Sequence, residues 1–162
     1  MNNLSVMLAM FAGLAARDTA EAAEPFSLQG TWNLVAADKI LPGGTQVRDY
    51  GEQPKGRLII DAQGRYSLQI FKSERLRFAA DNKGDGSTGE FKSAVMGSST
   101  HYGKVTIDAG QHLLVFSIEG SSFPNWEGTV QKREYESDGR TLSYRVPARA
   151  DGSIPVSVWR KE

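Results

Sequence analysis

Five side chains of this 162-residue chain have the chemistry to act on a bound molecule: Tyr66, His112, Gln131, Arg133 and Tyr144. A guanidinium or a primary amide can polarise a carbonyl, and a phenol or an imidazole can relay a proton. Gln131, Arg133 and Tyr135 alternate with Lys132, Glu134 and Glu136 in the stretch GTVQKREYE, Gly128 to Glu136. Alternate residues of a strand share a face, so the charged set marks solvent and Thr129, Gln131, Arg133 and Tyr135 point inward. The same parity argument turns His112, Leu114, Phe116 and Ile118 inward, with Leu142, Tyr144 and Val146, and with His101, Val105 and Ile107. The interior is then apolar with a few polar groups, which is the make-up of a small-molecule site. A buried arginine is costly unless paired. One partner for Arg133 is an anionic or carbonyl-bearing ligand. The other is a loop carboxylate at the end of the fold: Asp49, Glu52 or Glu127.

These residues need a scaffold, and from Phe26 onward the chain reads as short strands between turns. GTWNLVAADKI (Gly30–Ile40) is the first. GRLIID and RYSLQIF flank a turn at Ala62-Gln63-Gly64, HYGKVTID and HLLVFSIE flank Ala109-Gly110-Gln111, and GTVQKREYE and RTLSYRV flank Ser137-Asp138-Gly139. SIPVSVWRKE closes the chain, making eight strands joined mostly by short reversals. Such a sheet protects its edges by closing, so the expected fold is an all-β, eight-stranded antiparallel up-and-down barrel over residues 25–162. In SSFPNWEG, Phe123, Pro124 and Trp126 are expected at the barrel mouth or wall, with the Asn125 amide facing solvent or ligand. The competing reading is that this cluster is ordinary core, plugging the barrel and fixing the turn. Lys72 to Met96 is polar and glycine-rich, expected as a flexible surface loop with at most a turn of helix at either end. Its DNKGDG resembles a calcium loop, but Lys83 and Lys92 stand where the third and twelfth ligands belong.

Composition excludes several functions. Lys plus Arg and Asp plus Glu are both 19, with no basic run, so a nucleic-acid partner is not expected. No cysteine is present, which removes thiolate nucleophiles, disulfides and thiolate metal sites. The two histidines lack metal-motif spacing, and neither a metal nor a cofactor is expected. There is no G-x-S-x-G motif, and GDGSTG does not lead from a strand into a helix as a nucleotide loop does.

Residues 1–24 form an apolar segment with two readings. Leu4 to Ala16 has the length of a signal-peptide core and is too short to span a bilayer, with AEAAEP offering cleavage after Ala22. Secretion or a periplasmic location would follow. Against this, MNN carries no Lys or Arg, and Arg17, Asp18 and Glu21 precede the cut. The other reading is a retained helix with Leu4, Met7, Leu8, Phe11 and Leu14 on one face, in a cytoplasmic protein.

LQGTWNLV, YGEQPKGRLIIDAQGRYSLQI, SSFPNWEGTVQKREYE and LSYRV with SVWRK together resemble the bacterial and fungal lipocalin-like domain family, over about Ser27 to Arg160. The resemblance implies a calycin-type barrel with an internal cavity and no single activity; some related small barrels are cyclases or isomerases. It also implies that Trp32 closes one barrel end under an arginine of the last strand, here Arg160. Ile60-Asp61 stands where the family often has an aromatic.

Three functions remain open. The first is binding of a small lipophilic molecule, with Phe116, Trp126, Asn125, Gln131, Arg133, Tyr135 and Tyr144 as the binding set. The second is a cofactor-independent cyclase or isomerase for a polyketide- or terpenoid-type substrate, using Arg133, Tyr144, His112 and Tyr66. The third is a structural barrel filled by its own side chains.

Overall fold

The computed structural model describes residues 26–162. The apolar segment, its cleavage site and its helical reading lie outside the described residues. Nine strands form one antiparallel sheet: β1 (Gly30–Ile40), β2 (Gln46–Val47), β3 (Lys55–Ile60), β4 (Arg65–Phe71), β5 (Ser98–Asp108), β6 (Leu113–Ser121), β7 (Val130–Ser137), β8 (Thr141–Arg145) and β9 (Ile154–Lys161). Each strand from β3 to β9 pairs with the next, and β1 pairs with both β3 and β9. That last pairing closes an up-and-down barrel of eight strands. The additional strand, β2, pairs only with the end of β1, Lys39 opposite Val47 and Ile40 opposite Gln46. It is too short to be read from the sequence, because two residues carry no alternation.

The registers define two ends. One carries Gly30, Ile60, Arg65, Leu113, Thr141 and Lys161; it is filled by Trp32, Leu58, Leu114, Leu142 and Trp159, all fully buried. Two bulges help the sheet to curve. β1 shifts register between Leu34 and Ala36, and β5 between Tyr102 and Gly103. At the second bulge Gly103 has φ 155°, and a Cβ there would overlap the carbonyl oxygen of Ser117, so the position requires glycine.

The segment from Lys72 to Met96 is more ordered than its composition suggests. It contains α1 (Thr88–Met96), begun by a capping box in which the Ser87 hydroxyl accepts from the Glu90 backbone N–H and Glu90 reaches back to the Ser87 N–H. The Glu90 carboxylate also accepts the Ala79 backbone N–H at 2.6 Å, tying the loop to the helix. The expectation of at most a turn of helix at either end is corrected: nine residues form one, because the capping box and the Ala79 contact fix its first turn.

The closed end corrects one expectation. Arg160 is exposed, and it is the ammonium of Lys161 that sits 5.1 Å from the centroid of the Trp32 ring. Period-two alternation explains this, since Trp159 faces inward with no exposure and therefore shares its face with Lys161, not Arg160. Replacing Lys161 by Met should cost about 0.5–1 kcal/mol, as expected for a cation over an indole face at a partly wet site. Arg160→Met should stay within about 0.5 kcal/mol. Urea unfolding of both variants checks this, and the opposite ranking would return the role to Arg160.

Candidate functional site

The sheet brings together four polar side chains, Tyr66, His101, Gln131 and Arg133, just above the packed half of the barrel. Arg133 on β7 is 3% exposed and His101 on β5 is 5% exposed. One Arg133 Nη2 donates to Gln131 Oε1 at 2.8 Å and approaches His101 Nε2 at 3.3 Å; His101 Nδ1 lies 2.7 Å from the Tyr66 hydroxyl. A guanidinium can only donate, so Nε2 must be the accepting nitrogen and Nδ1 carries the proton toward the Tyr66 oxygen. Burial, with the Arg133 charge beside it, pushes the His101 pKa down to about 3, so the imidazole is neutral near pH 7. Burial also raises the Tyr66 and Tyr144 phenols above their ordinary value and keeps them protonated. The guanidinium lies over aromatic faces, with its carbon 4.0 Å from the Phe116 ring centroid and 5.1 Å from that of Tyr144.

Above this row the barrel is not filled. A cavity of about 320 Å³ is bounded by Ala37, Leu68, Ile70, Trp126, Val146 and Val156, with His101, Gln131, Arg133 and Tyr144 forming its polar side. The volume lies at the small end of the range for ligand pockets, roughly 300–1,000 Å³. Its rim is charged but internally paired. Asp49 bridges Lys39 at 3.1 Å and Arg149 at 2.9 Å, and buried Asp38 accepts from Gln46 at 2.7 Å and Arg48 at 3.1 Å. Burial pulls the Asp49 pKa up, but the contacts from Lys39 and Arg149 outweigh it and hold the carboxyl below its ordinary value.

A family model described as a lipocalin-like domain matches residues 29–161, the stretch that forms this barrel. The chain belongs to the lipocalin-like domain family. No curated protein matches the chain.

The lipocalin-like barrel distributes the residues singled out in its sequence unequally. Gln131, Arg133, Tyr144 and Trp126 all line the cavity. Trp126 ends a short 3-10 turn, Pro124–Trp126, and its ring stands edge-on to Phe123 at 5.5 Å and to His101 at 6.0 Å. That places the Phe-Pro-Asn-Trp cluster at the mouth, where Phe123 and Asn125 are exposed. Phe116 and Tyr66 do not line the cavity; they form the layer beneath it, with their rings edge-to-face at 5.0 Å. Tyr135 faces inward but lies toward the closed end, stacked on Phe26 at 5.7 Å and His112 at 4.5 Å.

His112 itself corrects an expectation, because it does not face the lumen. It precedes the first residue of β6, adopts φ 56° in the turn and is exposed. Strand parity holds only inside the strand, and a left-handed turn residue redirects its side chain. The histidine in the polar row is His101, whose inward parity was visible in HYGKVTID but whose partners were not. Asp49, Glu52 and Glu127 do not pair with Arg133. Glu52 is 3.6 Å from Arg48, and Glu127 accepts the Ser121 backbone N–H at 3.2 Å. Sequence reasoning missed Tyr50, Ser99 and the Pro147–Arg149 loop, which reach the cavity from connections whose course periodicity does not predict.

Among the described residues, no helix is long and apolar enough to cross a membrane. Among those same residues, no group of three or more His, Cys, Asp or Glu side chains could hold a metal ion.

Proposed function

We propose that the protein binds a small apolar molecule in the open-end cavity and releases it unchanged. The observation that carries this is the cavity of about 320 Å³, whose aliphatic and aromatic walls are interrupted by the Arg133 row at its base and by a charged rim at its mouth. Apolar walls supply the burial, and a few polar groups set the orientation. The structural-barrel reading is disfavoured by the same unfilled volume.

The cyclase or isomerase reading would use the row Tyr66–His101–Arg133 to polarise a carbonyl and move a proton. Three details weigh toward binding. The accepting nitrogen of His101 already faces Arg133, and a group whose pKa is near 3 is a feeble base at pH 7. Asp38 and Asp49, the carboxylates at the cavity, are both engaged by cations. Tyr66, the one phenol in the row, lies below the cavity and its oxygen is occupied by His101.

Native mass spectrometry of protein purified from its own source tests the proposal. The expected result is a co-purifying apolar adduct, released on denaturation. Ser99→Phe, at a half-buried position on the cavity wall, should remove the adduct while changing stability by less than about 1 kcal/mol. An adduct unaffected by that substitution would place the ligand elsewhere. Conversion of an added ligand to an isomer would favour the enzyme.

A further inference from the structure

We propose that the molecule held in this cavity is a monoanion, an apolar carboxylate whose head group sits on Arg133 and Tyr144. The inference rests on the reading that the cavity holds a small apolar molecule, and it names the charge and chemical class of that molecule.

The argument begins with an uncompensated charge. Arg133 is 3% exposed, and an arginine remains protonated at any physiological pH. Burying such a cation costs several kcal/mol unless an opposite charge accompanies it. Its neighbours are the Gln131 amide, neutral His101, the Tyr66 and Tyr144 phenols and the Phe116 ring, none of them negative. Among the described residues no carboxylate forms an ion pair with it. Two buried polar atoms at the same place also have no hydrogen-bond partner: Arg133 Nε and the Tyr144 hydroxyl. The hydroxyl lies close to Arg133, Ser157 and Trp159 without completing a hydrogen bond to any of them.

Those atoms describe their complement. Arg133 Nε can only donate and the Tyr144 hydroxyl can donate as well as accept, so an acceptor is the partner that serves both; the site holds one net positive charge, so the partner that neutralises it carries one negative charge. A carboxylate has two oxygens, enough to accept from the guanidinium and from a phenol together. A neutral carbonyl would satisfy a donor and leave the charge. A dianion would replace a buried positive charge by a buried negative one. A cation would add to the repulsion.

Calorimetric titration of the full chain with octanoate, octan-1-ol, octylammonium and octyl phosphate at pH 8 separates these cases. These share a tail small enough for a cavity of about 320 Å³. Octanoate should bind about tenfold or more tighter than octan-1-ol, as a charge-assisted pair in a dry site requires, with octyl phosphate weaker than octanoate and octylammonium weakest. Tyr144→Phe should lower octanoate affinity by about three- to tenfold and leave octan-1-ol unchanged. Arg133→Met should erase the preference for the acid over the alcohol. The comparison among ligands uses the unaltered protein, so it stands even if Arg133→Met fails to fold. Equal affinity for octanoate and octan-1-ol would overturn the carboxylate assignment while leaving a binding cavity. Failure of all four to bind would overturn the cavity reading and this one with it.

Discussion

Trp32→Ala is expected to remove about 3–5 kcal/mol of stability, the usual cost of deleting a fully buried large aromatic. Trp32 has no exposure, its indole N–H donates to the Leu28 carbonyl at 2.9 Å, and Lys161 covers its ring at 5.1 Å. The substitution would empty the floor of the barrel and leave a buried carbonyl with no donor, adding about 1 kcal/mol or more. A domain of this size has only about 5–15 kcal/mol in total, so the variant should unfold at a much lower urea concentration and be partly unfolded near 37 °C. Trp32→Phe keeps most of the ring contact but loses the donor, and should cost about 1–2 kcal/mol. Because Trp32 lies at the opposite end from the cavity, the Phe variant should bind cavity ligands as the parent does. Urea titrations followed by circular dichroism give both numbers. A loss below about 1 kcal/mol for Trp32→Ala would mean that the barrel closes without its floor.

The second large effect is a loss of stability in mild acid that originates at His101. Its folded-state pKa is pushed down to about 3 by burial and by Arg133, whereas an unfolded histidine titrates near 6.5. The folded state therefore resists the proton that the unfolded state takes up. The full contribution of this group is present above pH 6.5 and is lost progressively as the pH falls from there toward 3. Between pH 7 and pH 5 the loss should be about 2 kcal/mol, since each pH unit below the unfolded pKa costs about 1.4 kcal/mol. Asp49, Asp61, Glu90, Asp138 and Asp151 have lowered pKa values, and their contributions vanish mainly below pH 5. The interval from 7 to 5 thus isolates the histidine. His101→Gln retains an amide oxygen to accept from Arg133 and cannot titrate, so its stability should be nearly level over that interval. An equally steep decline in His101→Gln would assign the acid sensitivity to another group.

Much of the barrel was legible because each strand is half wet and half dry. In Gly128–Glu136 the alternation of Lys132, Glu134 and Glu136 with Gln131, Arg133 and Tyr135 orients those side chains before any partner is known, while Thr129, given the same inward parity, precedes β7 and is exposed. The short turns at Gly64 and Gly139, both with positive φ, bring consecutive strands side by side, and closure of an eight-strand antiparallel sheet follows from its exposed edges. Where parity was applied strictly it also held at Tyr144 and Leu142. It failed at Arg160, where the pattern of a related fold displaced the alternation of this chain, and at His112, one residue before the strand begins.

What the sequence by itself determined is therefore the barrel, its inward residues and the presence of a charged group among them. The tertiary structure alone decided what that group meets. Gln131, two residues from Arg133, is a local neighbour, but His101 is 32 residues away and Phe116 lies on a different strand again. Their meeting depends on strand register and on the bulge at Gly103, which a local pattern does not encode. The same holds for the empty space above them. A strand pattern says which side chains enter the lumen, but whether they fill it depends on summed volumes across all eight strands and on the loops that cover the mouth.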